Sequence, residues 1–85
     1  MYFYSKEEIE QRLSKWYGCG VTFTTHQNGK MFITTNDDGK RIAVNPQDVV
    51  PRIVGREAWG IPNFDGLLIF DSKQEMNNYK RMNFA

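Results

Sequence analysis

The residues that could perform acid–base catalysis or bind a metal are few in this chain. His26 is the only histidine among 85 residues, and a general base needs a partner acid or nucleophile within hydrogen-bond reach. Asp37, Asp38 and Asp48 are the carboxylates that folding could bring to it, but their spacing does not predict a metal site. A small hydrolase or metal enzyme that uses His26 is the third of three functional hypotheses. We predict no catalytic residues, no bound metal and no cofactor.

The single cysteine, Cys19, restricts redox and metal chemistry further. One thiol cannot form an internal disulfide or a cysteine-based metal cage. Cys19 follows the end of a predicted helix, where the partial negative charge of the helix dipole disfavours a reactive thiolate. The first residues do not show a basic region followed by an apolar run, and no stretch approaches 18 apolar residues, so we expect a cytoplasmic protein that does not enter a membrane.

The strongest candidate for a binding site lies in the middle of the chain, at residues 46–66. This segment carries Arg52, Arg56, Trp59 and Phe64, and tryptophan and arginine are enriched among the residues that dominate protein interfaces. The first hypothesis is therefore a small non-enzymatic protein, of inhibitor, adaptor or immunity type, that engages a protein partner through this segment and the adjacent sheet edge. The open alternative is that Trp59 is a core residue and the segment forms a lid on a sheet.

A second group of residues supports a different class of function. Phe23 and Phe32 are predicted on one sheet face, where they could stack the bases of a single-stranded nucleic acid, with Lys30 and Arg41 beside them. Lys and Arg number 11 against 10 Asp and Glu, with no charge run, and this balance is unlike the basic face typical of nucleic-acid binders. Nucleic-acid binding is therefore the second hypothesis.

Helical patterns occur near both ends of the chain. Ser5 and Glu8 have the spacing of a capping box, an apolar stripe with helical spacing follows, and Gly18 is a favoured C-terminal residue, so we predict a helix over 5–17. Ser72 repeats the capping pattern with the glutamate three residues on and predicts a second helix. The residues before the two serines resemble each other, which indicates a short strand at 2–4.

Between these helices the sequence predicts a three-stranded meander over 21–27, 30–35 and 41–45. Asn28-Gly29 is a strong signal for a two-residue hairpin turn. Such a turn pairs His26 with Met31 and Phe23 with Thr34. The core face would then carry Met31, Ile33, Ile42 and Val44, and the opposite face would carry Val21, Phe23, Phe32 and Ala43.

These elements predict a single α+β domain over residues 1–85, a monomer or weak homodimer. Residues 45–66 contain all three prolines and show no periodicity, so we predict an irregular loop there. The apolar run at 67–70 predicts a central strand. The expected order is β-α-β-β-β-loop-β-α, with one antiparallel sheet and both helices on one face. The expected buried cluster contains Ile9, Leu13, Trp16, Ile33, Ile42, Val44, Leu68 and Phe70.

Overall fold

The computed structural model describes residues 1–26, 30–63 and 66–84, and it confirms the predicted α+β class. The described elements, in chain order, are β1 (Tyr2–Ser5), α1 (Lys6–Tyr17), β2 (Val21–Thr25), β3 (Met31–Thr35), β4 (Arg41–Val44), α2 (Pro46–Val54), β5 (Trp59–Asn63), β6 (Gly66–Phe70) and α3 (Lys73–Phe84). The predicted N-terminal strand, the first helix and the C-terminal helix are therefore all present.

Local interactions set the ends of α1 as the sequence indicates. The Ser5 hydroxyl accepts a hydrogen bond from the Glu8 amide at 3.3 Å, which satisfies one of the orphan amides of the first turn. Gly18 ends the helix with φ 77°, a conformation that costs other residues a steric penalty, and its amide donates to the Ser14 carbonyl. Ile9 and Leu13 are buried, so the predicted apolar stripe does face the core.

The strands form two sheets, and the prediction of one sheet is wrong. The first sheet has the order β1-β6-β5 and the second sheet has the order β2-β3-β4, with all pairs antiparallel. The physical reason lies in β6, whose two edges are occupied by β1 on one side and β5 on the other. The meander of β2, β3 and β4 cannot pair with this central strand and therefore forms a separate sheet.

The strand β6 divides the hydrophobic interior into two clusters, because its alternate side chains point to opposite faces. Leu67 and Ile69 belong to the first core cluster, which contains Ile9, Leu13, Val21, Phe23, Met31, Ile33, Val49, Val50, Ile53, Ala58, Leu67 and Ile69. Leu68 and Phe70 belong to the second core cluster, with Ile61 and Met76. The predicted single cluster is wrong in placing Leu68 and Phe70 with Ile9.

The same alternation corrects the predicted placement of the helices on one face. Helices α1 and α2 cover one face of the first sheet, while α3 covers the other through Met76 and Tyr79. All five residues of β6 are buried. A continuous apolar strand needs cover on both of its faces, so a layer of helix on each side is the arrangement that satisfies it.

The hairpin register differs by one residue from the prediction. Phe23 pairs with Ile33, and Thr25 pairs with Met31, so Phe23 shares the core face with these apolar side chains. The predicted turn at residues 28–29 lies outside the described residues. Because a one-residue shift moves every side chain of a strand to the other face, the observed register buries Val21 and Phe23, which the predicted register places on the opposite face. The predicted pairing of β3 with β4 is confirmed, with Ile33 opposite Ile42. Ile42 is nevertheless 39% exposed, so its predicted place in the buried cluster is wrong.

The segment predicted as an irregular loop contains the helix α2 and the strand β5. Pro46 stands at the start of α2, where a missing amide proton costs nothing, and Gly55 ends the helix with φ 85°. Val49, Val50 and Ile53 are buried at helical spacing. The prolines concealed this helix from the sequence pattern, although only Pro51 lies where it removes a helical hydrogen bond.

Candidate functional site

The candidate site is built on the packing of α1 against α2, which Arg12 holds in place. Its Nη1 donates to the Ile53 carbonyl at 2.9 Å, near the end of α2 where helical carbonyls lack partners. The same guanidinium forms an ion pair with Glu8 at 3.2 Å and lies 5.0 Å from the centre of the Tyr4 ring. These contacts fix the position of α2 relative to the exposed side of α1.

Trp16 lies on this exposed side, and its predicted place in the core is wrong. Its side chain is 51% exposed and belongs to neither core cluster. The guanidinium of Arg52 lies 4.1 Å from its ring centre, and the Tyr17 ring lies nearly perpendicular to it, at 4.6 Å between centroids. Helix α1 meets α2 at this point instead of a sheet face, so a charged side chain takes the place of apolar cover.

Arg52 is positioned by its own helix. Its Nε donates to the Asp48 carbonyl one turn earlier, at 3.2 Å, and its guanidinium plane reaches across to Trp16. The described residues offer neither Arg52 nor Lys15 an ion pair. The groove between the helices has a volume of about 450 Å³, and its lining residues are Glu8, Gln11, Arg12, Lys15, Arg52, Ile53, Val54 and Gly55. We call Trp16, Arg52 and Lys15 the α1–α2 surface, which combines one exposed aromatic ring with two unneutralised cations.

Arg56, the second arginine predicted at the site, lies elsewhere. It forms an ion pair with Asp71 at 2.6 Å and a hydrogen bond to the Tyr2 hydroxyl, which joins the end of α2 to the start of α3. The hydrogen bond with Asp71 raises the pKa of Arg56 above its usual value. The charge of Arg56 is therefore already neutralised within the chain.

Among the described residues, no hydrogen bond or cation–π contact joins Trp59 to either arginine. It is the first residue of β5, lies opposite Phe70, and packs half-buried against the second core cluster beneath α3. Phe64 lies outside the described residues. The predicted group of Arg52, Arg56 and Trp59 is thus divided among three places, and only Arg52 belongs to the α1–α2 surface.

The second predicted group is also divided. Phe23 is completely buried in the first core cluster, so the prediction that it shares an open face with Phe32 is wrong. Phe32 remains on the outer face, with the guanidinium of Arg41 3.9 Å from its ring centre and the His26 ring edge-on at 4.9 Å. Lys30 lies next to His26, because its carbonyl accepts a hydrogen bond from the His26 amide.

His26 contacts the guanidinium of Arg41, and no hydrogen bond joins it to a carboxylate of the described residues. Its Nε2 lies 2.7 Å from Nη2 of Arg41, so this ring nitrogen faces a guanidinium. Asp38 instead accepts hydrogen bonds from the Thr35 hydroxyl and the Lys40 amide. No group of three metal-ligating side chains occurs among the described residues. The hydrolase hypothesis therefore remains a prediction without a supporting contact.

The Trp16–Arg52 contact is the feature that sequence reasoning missed. A helical pattern in residues 49, 50 and 53 would have placed Arg52 on the outer side of α2, and that signal was present in the sequence.

Comparisons with known proteins add no functional information. The chain matches no family model, and the searches of curated proteins and of solved structures gave no match either. Among the described helices, none has the length and apolar character needed to cross a membrane.

Proposed function

We propose that this chain is a small non-enzymatic binding protein that engages a protein partner through the α1–α2 surface. One observation carries the proposal: Trp16 is half exposed, and the guanidinium of Arg52, which forms no ion pair with the described residues, lies 4.1 Å from its ring centre. Tryptophan and arginine are the side chains most enriched among interface residues that contribute strongly to binding. The proposal keeps Arg52 from the predicted middle segment and replaces Trp59 and Phe64 with Trp16.

The arrangement reduces the cost of binding because both side chains are already ordered. A cation–π contact at an exposed site contributes about 0.5–1 kcal/mol, enough to favour one orientation of the ring and the guanidinium before a partner arrives. Burying the exposed half of a tryptophan, about 100 Å², would contribute about 2.5 kcal/mol to binding. These magnitudes suit an anchor residue at the centre of an interface.

The charge of the surface specifies the kind of partner. Lys15 and Arg52 carry positive charges that no acidic residue neutralises within the described chain. The partner is therefore a protein that presents carboxylates around an apolar or aromatic contact for Trp16. An inhibitor, adaptor or immunity role in the cytoplasm is the biological form that we propose for this binding.

The test compares two arginines of the same region. Wild-type protein and the variants Trp16→Ala, Arg52→Ala and Arg56→Ala are immobilised, and the partner captured from the source cell is identified and titrated by calorimetry. We expect Trp16→Ala and Arg52→Ala each to raise the dissociation constant at least about tenfold, which corresponds to a loss of about 1.4 kcal/mol in binding free energy. Arg56→Ala, the matched control, should bind as the wild type does. Equal affinity in all four proteins, or an equal loss with Arg56→Ala, contradicts the proposal.

A second candidate function rests on the contact of Arg41 with Phe32. The guanidinium covers one face of the ring, so an unpaired base would stack on the outer plane of Arg41, a mode used in single-strand recognition. Lys30 would contact the phosphate backbone. Fluorescence anisotropy with labelled 12-mer oligothymidylate and oligouridylate tests this function, with Arg41→Ala and Arg52→Ala as a matched pair. Binding that is lost only with Arg41→Ala supports it, and absence of binding at low salt refutes it.

A further inference from the structure

The two outer strands of the second sheet differ in how their free backbone groups are satisfied. On β2, the Val21 amide donates to the Ser14 hydroxyl at 3.1 Å, and the Phe23 amide donates to the Glu10 carboxylate at 2.9 Å. Both acceptors belong to α1. The helix therefore closes this edge of the sheet with side chains placed one turn apart.

The other outer strand, β4, has no such cover. The His26 amide donates to the Lys30 carbonyl, so alternate residues of β3 from Lys30 onward bond to β2, and Met31 and Ile33 bond to β4. It follows that the amides and carbonyls of Arg41 and Ala43 point away from the sheet. In the part of the chain that the structure describes, no hydrogen bond to these outward groups is present.

The side chains of β4 leave this edge accessible. Natural edge strands are often protected by a charged side chain, and Arg41 is the only charged residue of this strand. Its guanidinium is drawn back over Phe32 and towards His26, on the strands behind it. Ala43 is exposed and small, and Ile42 is 39% exposed although it lies on the core face. An apolar residue therefore borders an edge of unpaired backbone groups.

We propose that β4 pairs antiparallel with β4 of a second copy of this chain, about a two-fold axis at Ala43, so that two second sheets become one six-stranded sheet. Extended backbone runs from Arg41 through Asn45, whose φ is −97° and ψ is 148°, and Ala43 is the centre of this run. A two-fold axis makes the contact self-complementary, so one strand supplies both halves of the interface.

This register also matches the side chains. Ile42 lies opposite Val44 of the second copy, on the core face, and this apolar pair occurs twice. Arg41 lies opposite Asn45 of the second copy, so like charges are not placed against each other. A register centred on Ile42 would instead set Val44 against Lys40. The apolar pattern therefore selects Ala43 as the centre.

The test is the mass of the protein in solution as a function of concentration. Light scattering after size exclusion, from about 10 µM to about 1 mM, should show wild-type mass rising from 10.0 kDa towards twice that value. Hydrogen exchange should slow at the amides of Arg41 and Ala43 as the dimer forms. A mass that stays at 10.0 kDa throughout overturns the proposal.

Two substitutions at the proposed axis locate the contact. Ala43→Pro removes an amide proton that the sheet itself does not use, so the chain should fold and remain monomeric. Ala43→Lys keeps the amide but places two ammonium groups against each other, which should raise the dissociation constant at least tenfold. Thr24→Lys, the matched control on the exposed face of the capped strand β2, should dimerise as the wild type does. Unchanged dimerisation of Ala43→Lys contradicts the proposal even if Ala43→Pro fails to fold.

The partner-binding surface gives an independent control. Trp16→Ala should leave self-association unchanged, because α1 is not part of the proposed dimer contact. A loss of self-association with Trp16→Ala would place the contact at the α1–α2 surface and overturn the assignment to β4.

Discussion

The two sheets have the same number of strands and the same antiparallel pairing, but they differ in how completely they are covered. In the first sheet, the central strand β6 is buried at every residue and has helices on both faces. In the second sheet, the inner face joins the core through Phe23 and Ile33, while no residue of the outer strand β4 is buried. Both sheets therefore contribute to the core, but the second sheet also leaves a face and an edge available for contacts.

The largest expected effect tests which phenylalanine belongs to the core. Phe23→Ala should lower the free energy of unfolding by about 3–5 kcal/mol, because it empties a completely buried site. Phe32→Ala, one strand away on the outer face, should cost about 1 kcal/mol, since it removes only a half-buried ring and its cation–π contact. Urea unfolding measures both, and a reversed order would restore the register predicted from the turn.

A second comparison uses the same residue type in both sheets. Ile69→Ala, in the central strand of the first sheet, should cost about 2–5 kcal/mol because its site is fully buried. Ile42→Ala, in β4, should cost about 1 kcal/mol or less, because the side chain is already 39% exposed. Thermal melts at low protein concentration avoid any contribution from self-association. Equal losses would mean that β4 is covered in solution.

The capped edge of the second sheet supports a third prediction. Glu10→Ala leaves the Phe23 amide without its acceptor and should cost about 1–2 kcal/mol. Glu10→Gln retains a side-chain oxygen and should recover most of that loss. Urea denaturation of the two variants separates the hydrogen bond from other effects of the glutamate. If both substitutions are neutral, the carboxylate does not close this edge.

The smallest expected effect concerns acid stability at the turn between β3 and β4. Hydrogen bonds from the Thr35 hydroxyl and the Lys40 amide lower the pKa of Asp38 below its ordinary value. A lowered folded-state pKa stabilises the fold above the unfolded value of about 3.9, and the contribution is lost as pH falls through the folded pKa. Melting temperatures below about pH 4 should therefore fall less steeply for Asp38→Ala than for the wild type. Parallel profiles would show that Asp38 contributes nothing.

Much of the local structure could be predicted because its causes lie within a few residues. Ser5 caps a helix whose first turn follows it directly, and Gly18 ends that helix through its own backbone conformation. The apolar run of β6 likewise predicts a strand covered on both faces. The sequence pattern does not indicate helix α2, because Pro46 and Pro51 resemble loop residues. In the structure, Pro46 stands at the start of the helix, where proline is favoured, and Pro51 removes a single hydrogen bond.

The candidate site could be predicted only in part. The residue type of Arg52 indicates an interface residue, but its contact with Trp16 joins two helices that are distant in the chain. The sequence around each residue does not predict this contact, since each is an ordinary amphipathic residue of its own helix. Arg56 has the same residue type, but Asp71 neutralises its charge, and no local sequence pattern indicates this ion pair.

The sequence by itself determined the α+β class, the ends of α1 and the central character of β6, because capping, periodicity and apolar runs act over short distances. The tertiary structure decided the number of sheets, the hairpin register and the exposure of Trp16. Each of these depends on which apolar surfaces find cover. The observed register of β2 buries Phe23, and the two edges of β6 can accept only two strands.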